Sequence, residues 1–218
     1  MPANVIALSV QNGSAGYTIA RRVAEALSFR YYDWEITSEA ARLAGVPATD
    51  VVAAERVPSF FERTMRRLGA ISSMTIEGSP GFADPSPEVW NTAIQSLTSD
   101  DYRQFIQEVV KHLASDGEVV IVGHAGQVIL RDRPGVLKAF IHGSLPVRAE
   151  RHAQEQGIRL DEAQKALTQS DKDRRNLMRT VYHVDWADAS NYDITLSTDH
   201  FSEDWAVETI VSAAREMP

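Results

Sequence analysis

The chain has 218 residues, no cysteine and a formal net charge of -8 at pH 7. The lack of cysteine excludes disulfides, thiolate catalysis and cysteine-ligated zinc, and the negative charge argues against broad binding to nucleic acids or membrane surfaces. No run approaches the ~20 apolar residues of a membrane span and no opening segment resembles a signal peptide, so we expect a soluble, cytoplasmic protein with one α/β domain, with or without an insertion.

The first predicted element is a strand over residues 5–10 that ends in a small loop containing Gly13 and Gly16. After this loop, apolar residues at positions 19, 23 and 27 mark one face of a helix. A strand, a phosphate-sized loop and a helix in this order are typical of the start of a P-loop protein.

The loop itself allows two interpretations. Gly13 and Gly16 permit several backbone N–H groups to point at one anion, the following helix N-terminus favours negative charge, and the Thr18 hydroxyl can ligate Mg²⁺. However, Tyr17 stands where a Walker A motif has its lysine, and Gln11 stands where it has its first glycine. The spacing alone therefore leaves both phosphate binding and a tight turn that binds nothing open.

The middle of the chain changes character. A short second strand over Phe29–Tyr32 ends at Asp33, and a mostly helical insertion is predicted for about 34–100, with a long loop over Gly69–Pro87. Regular alternation then returns. The predicted elements are a helix capped at Ser99–Asp101 and ending near Gly117, strands over Glu118–Val122 and Val136–Ile141, a helix from Pro146, a last strand over Tyr192–Leu196 and a terminal helix after Ser202.

Five short strands that alternate with helices predict a parallel sheet with right-handed crossovers. Ligands of such sheets bind at the carboxyl ends of the strands. We therefore expect residues 11–18, Asp33, residues 123–126 and residues 142–144 to lie along one edge of the sheet.

A basic segment follows the fourth predicted strand. Between Arg148 and Arg179 there are eight Lys or Arg residues against six Asp or Glu residues. Arginines on a helix pair, with Arg174, Arg175 and Arg179 as the candidates, can close over phosphates and stabilise a transferring phosphoryl group. A solvated helix with ion pairs at i, i+4 explains the same pattern.

Two further side chains are candidates for contact with a ligand. His124, in the Gly123–Gly126 turn, can donate a hydrogen bond to a phosphate or a base, or it can be a satisfied histidine in a βα turn. Asp33 can accept from a substrate hydroxyl or base amine, or it can cap a helix. The histidines show no metal-ligand spacing, and no Ser-His-Asp arrangement is recognisable.

Seven ordered segments of the chain resemble motifs of the cytidylate kinase-like family, the P-loop relatives of bacterial cytidylate kinase. They are Ser9–Ala20, Tyr32–Ile36, Pro58–Phe60, Val119–Pro134, Asp171–Arg175, Val184–Trp186 and Asn191–Asp193. The resemblance implies an α/β P-loop kinase fold, with a five-stranded parallel sheet flanked by helices. It also implies a single domain over 1–218, with its core at 1–33 and 101–218, a helical acceptor-site insertion at about 34–100 and a lid at about 157–183.

The resemblance further implies ATP-dependent phosphorylation of CMP or dCMP, with ATP and Mg²⁺ as cofactors and small-molecule nucleotides as partners; the oligomeric state, including a homo-oligomer, stays open. In this scheme Gly13, Ser14, Ala15, Gly16, Tyr17 and Thr18 bind the triphosphate, and Thr18 holds Mg²⁺. Asp33, His124 and Asp171 lie on the acceptor side. Arg174, Arg175 and Arg179 act on the transferring phosphoryl group.

The chain departs from the family pattern where charge would meet phosphate. The family's Arg-Glu is Val10-Gln11, its third loop glycine is Ala15, its Arg or Lys is Tyr17, and its Gly-Arg-Gly arginine is His124. These changes keep two alternatives open. The first is a catalytically silent nucleotide-binding or regulatory protein, and the second is a kinase for another small hydroxyl or phosphate acceptor.

Overall fold

The computed structural model of the protein describes residues 2–33 and 99–217. Met1–Asp33 and Val110–Pro218 form one compact unit, which contains the sheet. Of the second unit, the structure describes residues 99–109, which begin a long helix.

The first unit is built on five parallel strands in the order β2-β3-β1-β4-β5. They are β1 (Val5–Val10), β2 (Arg30–Tyr32), β3 (Val119–Val122), β4 (Val136–His142) and β5 (Ile194–Ser197). In the central part of the sheet, Val5 of β1 is in register with Val119 of β3 and Val136 of β4. Every residue of β1 and β3 is buried, because helices cover both faces of a parallel sheet, and this is why the two strands are continuous apolar runs. The predicted parallel α/β fold is confirmed.

The described helices are α1 (Gly16–Leu27), α2 (Ser99–Asp116), α3 (Gly126–Ile129), α4 (Leu145–Gln156), α5 (Leu160–Tyr182) and α6 (Glu203–Glu216), with a 3-10 turn over Ala189–Asn191. Both α3 and the 3-10 turn are too short to leave a periodic signal in the sequence, and neither was predicted. The predicted strand ends differ by one or two residues. Strand β3 begins after Glu118 because that residue has a φ of 49°, in the left-handed region.

Buried side chains of the first unit include three clusters that consist of described residues. The main core joins the sheet to α1 and α6, and its fully buried members include Ile6, Leu8, Ile19, Val23 and Ile210. A second cluster is aromatic and contains Phe140, Trp186 and Tyr192 with Ala125 and Met178. A third, small cluster joins α4 to α5 through Ala149, Ala163 and Leu167.

The predicted insertion at about 34–100, with its Gly69–Pro87 loop, lies almost entirely outside the described residues. The division into a core, an acceptor-site insertion and a lid stays a prediction. Within residues 2–33 and 99–217, no helix is long and apolar enough to cross a membrane.

Candidate active site

The loop between β1 and α1 has a defined backbone conformation. Gly13 and Ala15 have φ values of 76° and 57°, and Ala15 directly precedes the helix. Ser14 is fully buried, and its hydroxyl donates to the Gln11 carbonyl over 2.6 Å. An L-residue in the left-handed region costs roughly 1–2 kcal/mol relative to glycine. A glycine at position 15, as in the family pattern, would adopt this left-handed conformation without strain. Ala15 adopts the same conformation at that cost in conformational energy.

Close packing explains the two glycines that remain in the loop. A Cβ on Gly16 would lie 2.6 Å from Cγ1 of Val10, and a Cβ on Gly13 would lie 2.7 Å from the carbonyl oxygen of Arg148. Both distances are too short for a real Cβ. The loop thus lies directly against β1 on one side and α4 on the other.

Two arginines of α4 contact the loop backbone. Nη1 of Arg148 donates to the Asn12 carbonyl over 3.0 Å, and Nη1 of Arg151 donates to the Gly13 carbonyl over 2.8 Å. Sequence reasoning counted these arginines as part of a basic segment but assigned them no role. The sequence feature that could have revealed their role is their spacing of three residues near the start of α4, which places both on one face of the helix.

Gln11 connects the loop to the end of β4. Its backbone N–H donates to the Ile141 carbonyl over 2.9 Å, and its side-chain Oε1 accepts from the Gly143 N–H over 3.1 Å. Residues 142–144 and the loop therefore meet at one edge of the sheet, as the parallel arrangement predicts. The glutamine keeps a hydrogen-bond acceptor at a position where the family has a charged carboxylate.

Tyr17 and Thr18 lie in the first turn of α1, and both are exposed. The Tyr17 side chain is 41% exposed, unusual for a large aromatic residue at a candidate site. Its phenol carries no positive charge, so the donor phosphates would meet no side-chain cation from this position.

Behind Tyr17, the end of β2 carries a polar pair. The Tyr31 hydroxyl donates to Oδ2 of Asp33 over 2.8 Å, and the Arg21 guanidinium lies 4.9 Å from the centre of the Tyr31 ring. Burial, followed by the Asp33 carboxylate, raises the pKa of Tyr31 well above its usual range. Tyr31 therefore stays a neutral donor, and it orients the Asp33 carboxylate.

The turn after β3 brings His124 to Asp33. Gly123, His124 and Ala125 have φ values of 79°, 50° and 55°, so three consecutive left-handed residues lead from β3 into α3. Nε2 of His124 lies 2.9 Å from the Asp33 carbonyl oxygen. Since a carbonyl oxygen only accepts, this contact requires the proton on Nε2. Two of the three residues that the resemblance placed on the acceptor side, Asp33 and His124, are thus adjacent and joined through the backbone of Asp33.

Arg174 of α5 lies at the same edge of the sheet. Its guanidinium is 5.5 Å from the centre of the Trp186 ring, and its Nη1 is 3.6 Å from the point that a Cβ on Gly123 would occupy. The cationic side chain is therefore held on an aromatic face next to the β3 turn. Trp186 is itself fixed, because its carbonyl accepts from the Tyr192 hydroxyl over 2.8 Å.

Tyr192 is part of a buried polar group beneath this site. Burial raises the pKa of Tyr192 to about 12, and the side-chain amide of Gln127 donates to its hydroxyl over 3.3 Å. The ring stacks on Phe140 with a centroid distance of 5.1 Å. Sequence reasoning noted the Asn191–Asp193 segment but missed the support that Tyr192 provides to the Arg174 region.

The other two candidate arginines lie near the end of α5. Arg179 donates to Oδ2 of Asp185 over 3.1 Å, and the two side chains are 60% and 44% exposed. The pKa of Asp185 is lowered first by the hydrogen bond from the Ala187 N–H, and next by Arg179 and Arg175. Both arginines are thus near Asp185, whereas Arg174 is near the strand ends.

The Asp171 side chain contacts Arg148. Its Oδ2 accepts from Nη2 of Arg148 over 2.7 Å, and its Oδ1 accepts from Nη1 over 3.3 Å. Both carboxylate oxygens are therefore engaged by the helix that supports the loop.

Within the described parts of the chain, no group of three His, Cys, Asp or Glu side chains could hold a metal ion. Mg²⁺ in phosphoryl-transfer sites uses few protein ligands, because it keeps several waters and takes substrate phosphate oxygens. An exposed Thr18 hydroxyl in the first turn of α1 fits that requirement.

Comparison with known proteins gives three findings. A family model described as the cytidylate kinase-like family matches residues 5–200. The cytidylate kinase of Thermococcus sibiricus is 31% identical over 149 residues, 68% of this chain and 69% of that protein. The cytidylate kinase of Methanopyrus kandleri is 32% identical over 102 residues, 43% of this chain and 53% of that protein, so the match spans about half of that relative.

The crystal structure of an uncharacterized protein from Eubacterium ventriosum matches with a TM-score of 0.66. The match covers 97% of this chain and 98% of that chain, at 19% sequence identity. At this level of identity, the likeness establishes a shared fold.

Proposed function

The chain belongs to the cytidylate kinase-like family, and on that premise we propose that it transfers the terminal phosphoryl group of ATP to CMP or dCMP. The observation that carries the proposal is the conformation of the loop over residues 11–16. Ala15 occupies the left-handed region where the family has glycine, so the loop keeps its backbone shape although its charged residues are replaced.

In this proposal the loop backbone and the first turn of α1 bind the donor phosphates. Thr18 would ligate Mg²⁺, which supplies charge neutralisation on the phosphate oxygens when bound. Asp33 and His124 would contact the acceptor nucleotide. Arg174 would donate to the transferring phosphoryl group, where negative charge spreads over the equatorial oxygens.

Arg175 and Arg179 do not contact the strand ends in this conformation of the described residues. Arg175 and Arg179 are near Asp185, so we propose that they reach the nucleotides only after a rearrangement of α5. The chemistry requires little more than positioning and charge stabilisation, because the protein forms no covalent bond to the phosphoryl group.

One observation favours a second candidate, a catalytically silent nucleotide-binding or regulatory protein. Tyr17 is neutral and exposed at the position of the family's Arg or Lys. A charge-assisted contact to phosphate is worth roughly 1.5–3 kcal/mol, so its loss lowers affinity or rate by one to two orders of magnitude.

A thermal-shift screen followed by a turnover assay separates these functions. Purified protein is heated with ATP and Mg²⁺, with CMP, dCMP and other nucleoside monophosphates, each alone and in pairs. A ligand at about 100 times its Kd stabilises the folded state by roughly 2.7 kcal/mol, which is readily measured.

We expect stabilisation by ATP and by a cytidine monophosphate, followed by ADP formation that depends on both. Binding without turnover would favour the silent protein. A stronger response to another acceptor would redirect the proposal to that compound. Silence toward every nucleotide would refute the kinase and favour a regulatory or structural role that uses no nucleotide.

A further inference from the structure

Arg148 is a buried cation that contacts three elements. Its side chain is 3% exposed. Its Nε donates to the Gly143 carbonyl after β4 over 2.9 Å, and its Nη1 donates to the Asn12 carbonyl in the loop over 3.0 Å. The two remaining contacts are those to Asp171 of α5. One guanidinium therefore connects the end of β4, the loop and α5.

The Asp171 carboxylate is what makes this buried charge tolerable. A buried guanidinium with no counter-charge is strongly unfavourable, whereas a two-pronged contact with a carboxylate compensates it. Because the carboxylate is on α5, the position of α5 determines where the Arg148 guanidinium can lie. The position of the guanidinium in turn determines where the Asn12 carbonyl is held.

Two neighbouring contacts act on the same stretch of the loop. The Asn12 side chain donates to the Ser170 hydroxyl over 2.8 Å, so the residue next to Asp171 on α5 also holds the loop. Arg151 donates to the Gly13 carbonyl, and Gly13 packs against the Arg148 backbone. Residues 12 and 13 are thus held from both α4 and α5.

We propose that Arg148 and Asp171 form a loop–lid clasp, a positioning pair that couples the conformation of residues 11–16 to the placement of α5. Asp171 and Arg174 are three residues apart on α5 and therefore lie on neighbouring positions of one face. The clasp thereby places the phosphate-binding loop and Arg174 in a fixed relation. This inference rests on the proposed function, and it assigns Asp171 a role in positioning rather than in acceptor contact.

The first test compares Asp171→Asn with Asp161→Asn. Each variant removes the charge of one α5 carboxylate that pairs with an arginine. The Arg159–Asp161 pair is exposed, with side chains 77% and 50% accessible. Amide hydrogen exchange of a peptide covering residues 11–18 reports on the loop directly, and ATP titration reports on phosphate binding.

For Asp171→Asn we expect faster exchange in residues 11–18 and ATP affinity weakened roughly ten- to hundredfold, since small misplacements in such sites have large effects. For Asp161→Asn we expect changes of less than about twofold in both measurements, as for exposed ion pairs generally. Wild-type exchange and affinity in Asp171→Asn would overturn the clasp.

A second variant separates positioning from stability. The double substitution Arg148→Met with Asp171→Leu replaces the buried guanidinium and its partly buried carboxylate partner with apolar groups, and replacing a buried ion pair in this way often leaves stability equal or higher. We expect this protein to melt near the wild-type temperature, with a loop that exchanges faster and binds ATP more weakly. A stable double variant with a wild-type loop would refute the inference.

The same measurements distinguish this inference from the proposed function. If the wild-type protein binds no triphosphate, the proposed function fails, and exchange of residues 11–18 in the variants still decides whether the clasp positions the loop. If ATP binds equally to all variants and the loop exchanges equally, the clasp fails alone.

Discussion

Tyr17 and Gln11 change the chemistry of the loop in different ways. Gln11 replaces a carboxylate but keeps an oxygen acceptor, and that oxygen holds the Gly143 N–H. Tyr17 replaces a cation with an exposed phenol, and no charge remains at that position. Position 11 therefore keeps a hydrogen-bond acceptor, whereas position 17 carries no positive charge.

Restoring a cation at position 17 should strengthen triphosphate binding. We expect Tyr17→Lys to improve ATP affinity roughly tenfold or more, because a charge-assisted contact to phosphate contributes about 1.5–3 kcal/mol. Isothermal titration of ATP against both proteins measures the change, with Tyr32→Lys as a control outside the loop. An unchanged affinity would mean that the loop binds phosphate without using this position.

Gly16 is required by the packing of β1 against α1. Gly16→Ala should lower the free energy of unfolding by roughly 1–3 kcal/mol, because the new Cβ would lie 2.6 Å from Val10 Cγ1. Gly126→Ala is the matched control at the first position of α3, where the Cβ would lie 3.5 Å from the Ala7 Cβ, an ordinary contact. Chemical denaturation of both variants checks the prediction, and equal effects would contradict it.

His142 should make stability depend on pH. Burial lowers the pKa of this half-buried histidine below 6.5; the Asp199 carboxylate opposes the shift, and Arg148 adds to it. The unfolded chain therefore binds a proton at a higher pH than the folded protein does, so stability decreases as the pH falls below about 6.5. We expect His142→Gln to flatten this dependence between pH 7 and 5.5 in thermal melts. An identical slope in the variant would show that other groups cause it.

At the scale of elements, α5 combines two tasks. Its first half packs on α4 through Ala163 and Leu167, and Asp171 near its middle accepts from Arg148, which contacts the loop. Further along, Arg174 is placed over Trp186. The helix ends at Tyr182, and its C-cap residue His183 adopts a φ of 56° and donates its N–H to the Met178 carbonyl.

Arg174 should matter for catalysis more than for folding. We expect Arg174→Ala to lower kcat roughly 10²-fold or more with a smaller change in KM, since a donor to the transferring group acts mainly in the transition state. Lys165→Ala, an exposed change on the same helix, is the control. Steady-state kinetics with ATP and CMP make the comparison, and unchanged turnover would remove Arg174 from the mechanism.

At the scale of the whole molecule, the parallel sheet provides the rigid frame. Strand β1 lies between β3 and β4 and is buried over its whole length, so the loop begins from a central, fully buried strand. The aromatic cluster and the α4–α5 cluster are separate from the main core. The regions of Arg174 and Asp171 therefore pack on the two smaller clusters, whereas the loop follows a strand of the main core.

The main core should dominate global stability. Ile6→Ala should lower the free energy of unfolding by roughly 2–5 kcal/mol, because Ile6 is fully buried in the sheet. Ile158→Ala, at a 37% exposed site between α4 and α5, should change it by less than about 0.5 kcal/mol. Urea denaturation distinguishes the two, and a similar loss at both sites would contradict this division.

Much of the fold could be predicted because its signals are local. The continuous apolar runs at 5–10, 119–122 and 136–141 identify buried strands without any long-range information. The position of the loop and of Asp33 at one edge follows from the parallel direction of the strands. The support of the site was not predictable in this way, because Arg148, Asp171 and Asn12 are separated by 23 and 136 residues along the chain.

The sequence by itself determined the order of the strands and longer helices of the first unit, the position of the glycine-containing loop and the family resemblance, since each depends on neighbouring residues and periodicity. Only the tertiary structure decided which charges meet. The buried guanidinium of Arg148 requires a counter-charge, which a carboxylate on another helix provides. The close contact at Gly13 places α4 against the loop. Such pairings depend on distances that arise after the chain has folded, and a linear sequence does not contain them in readable form.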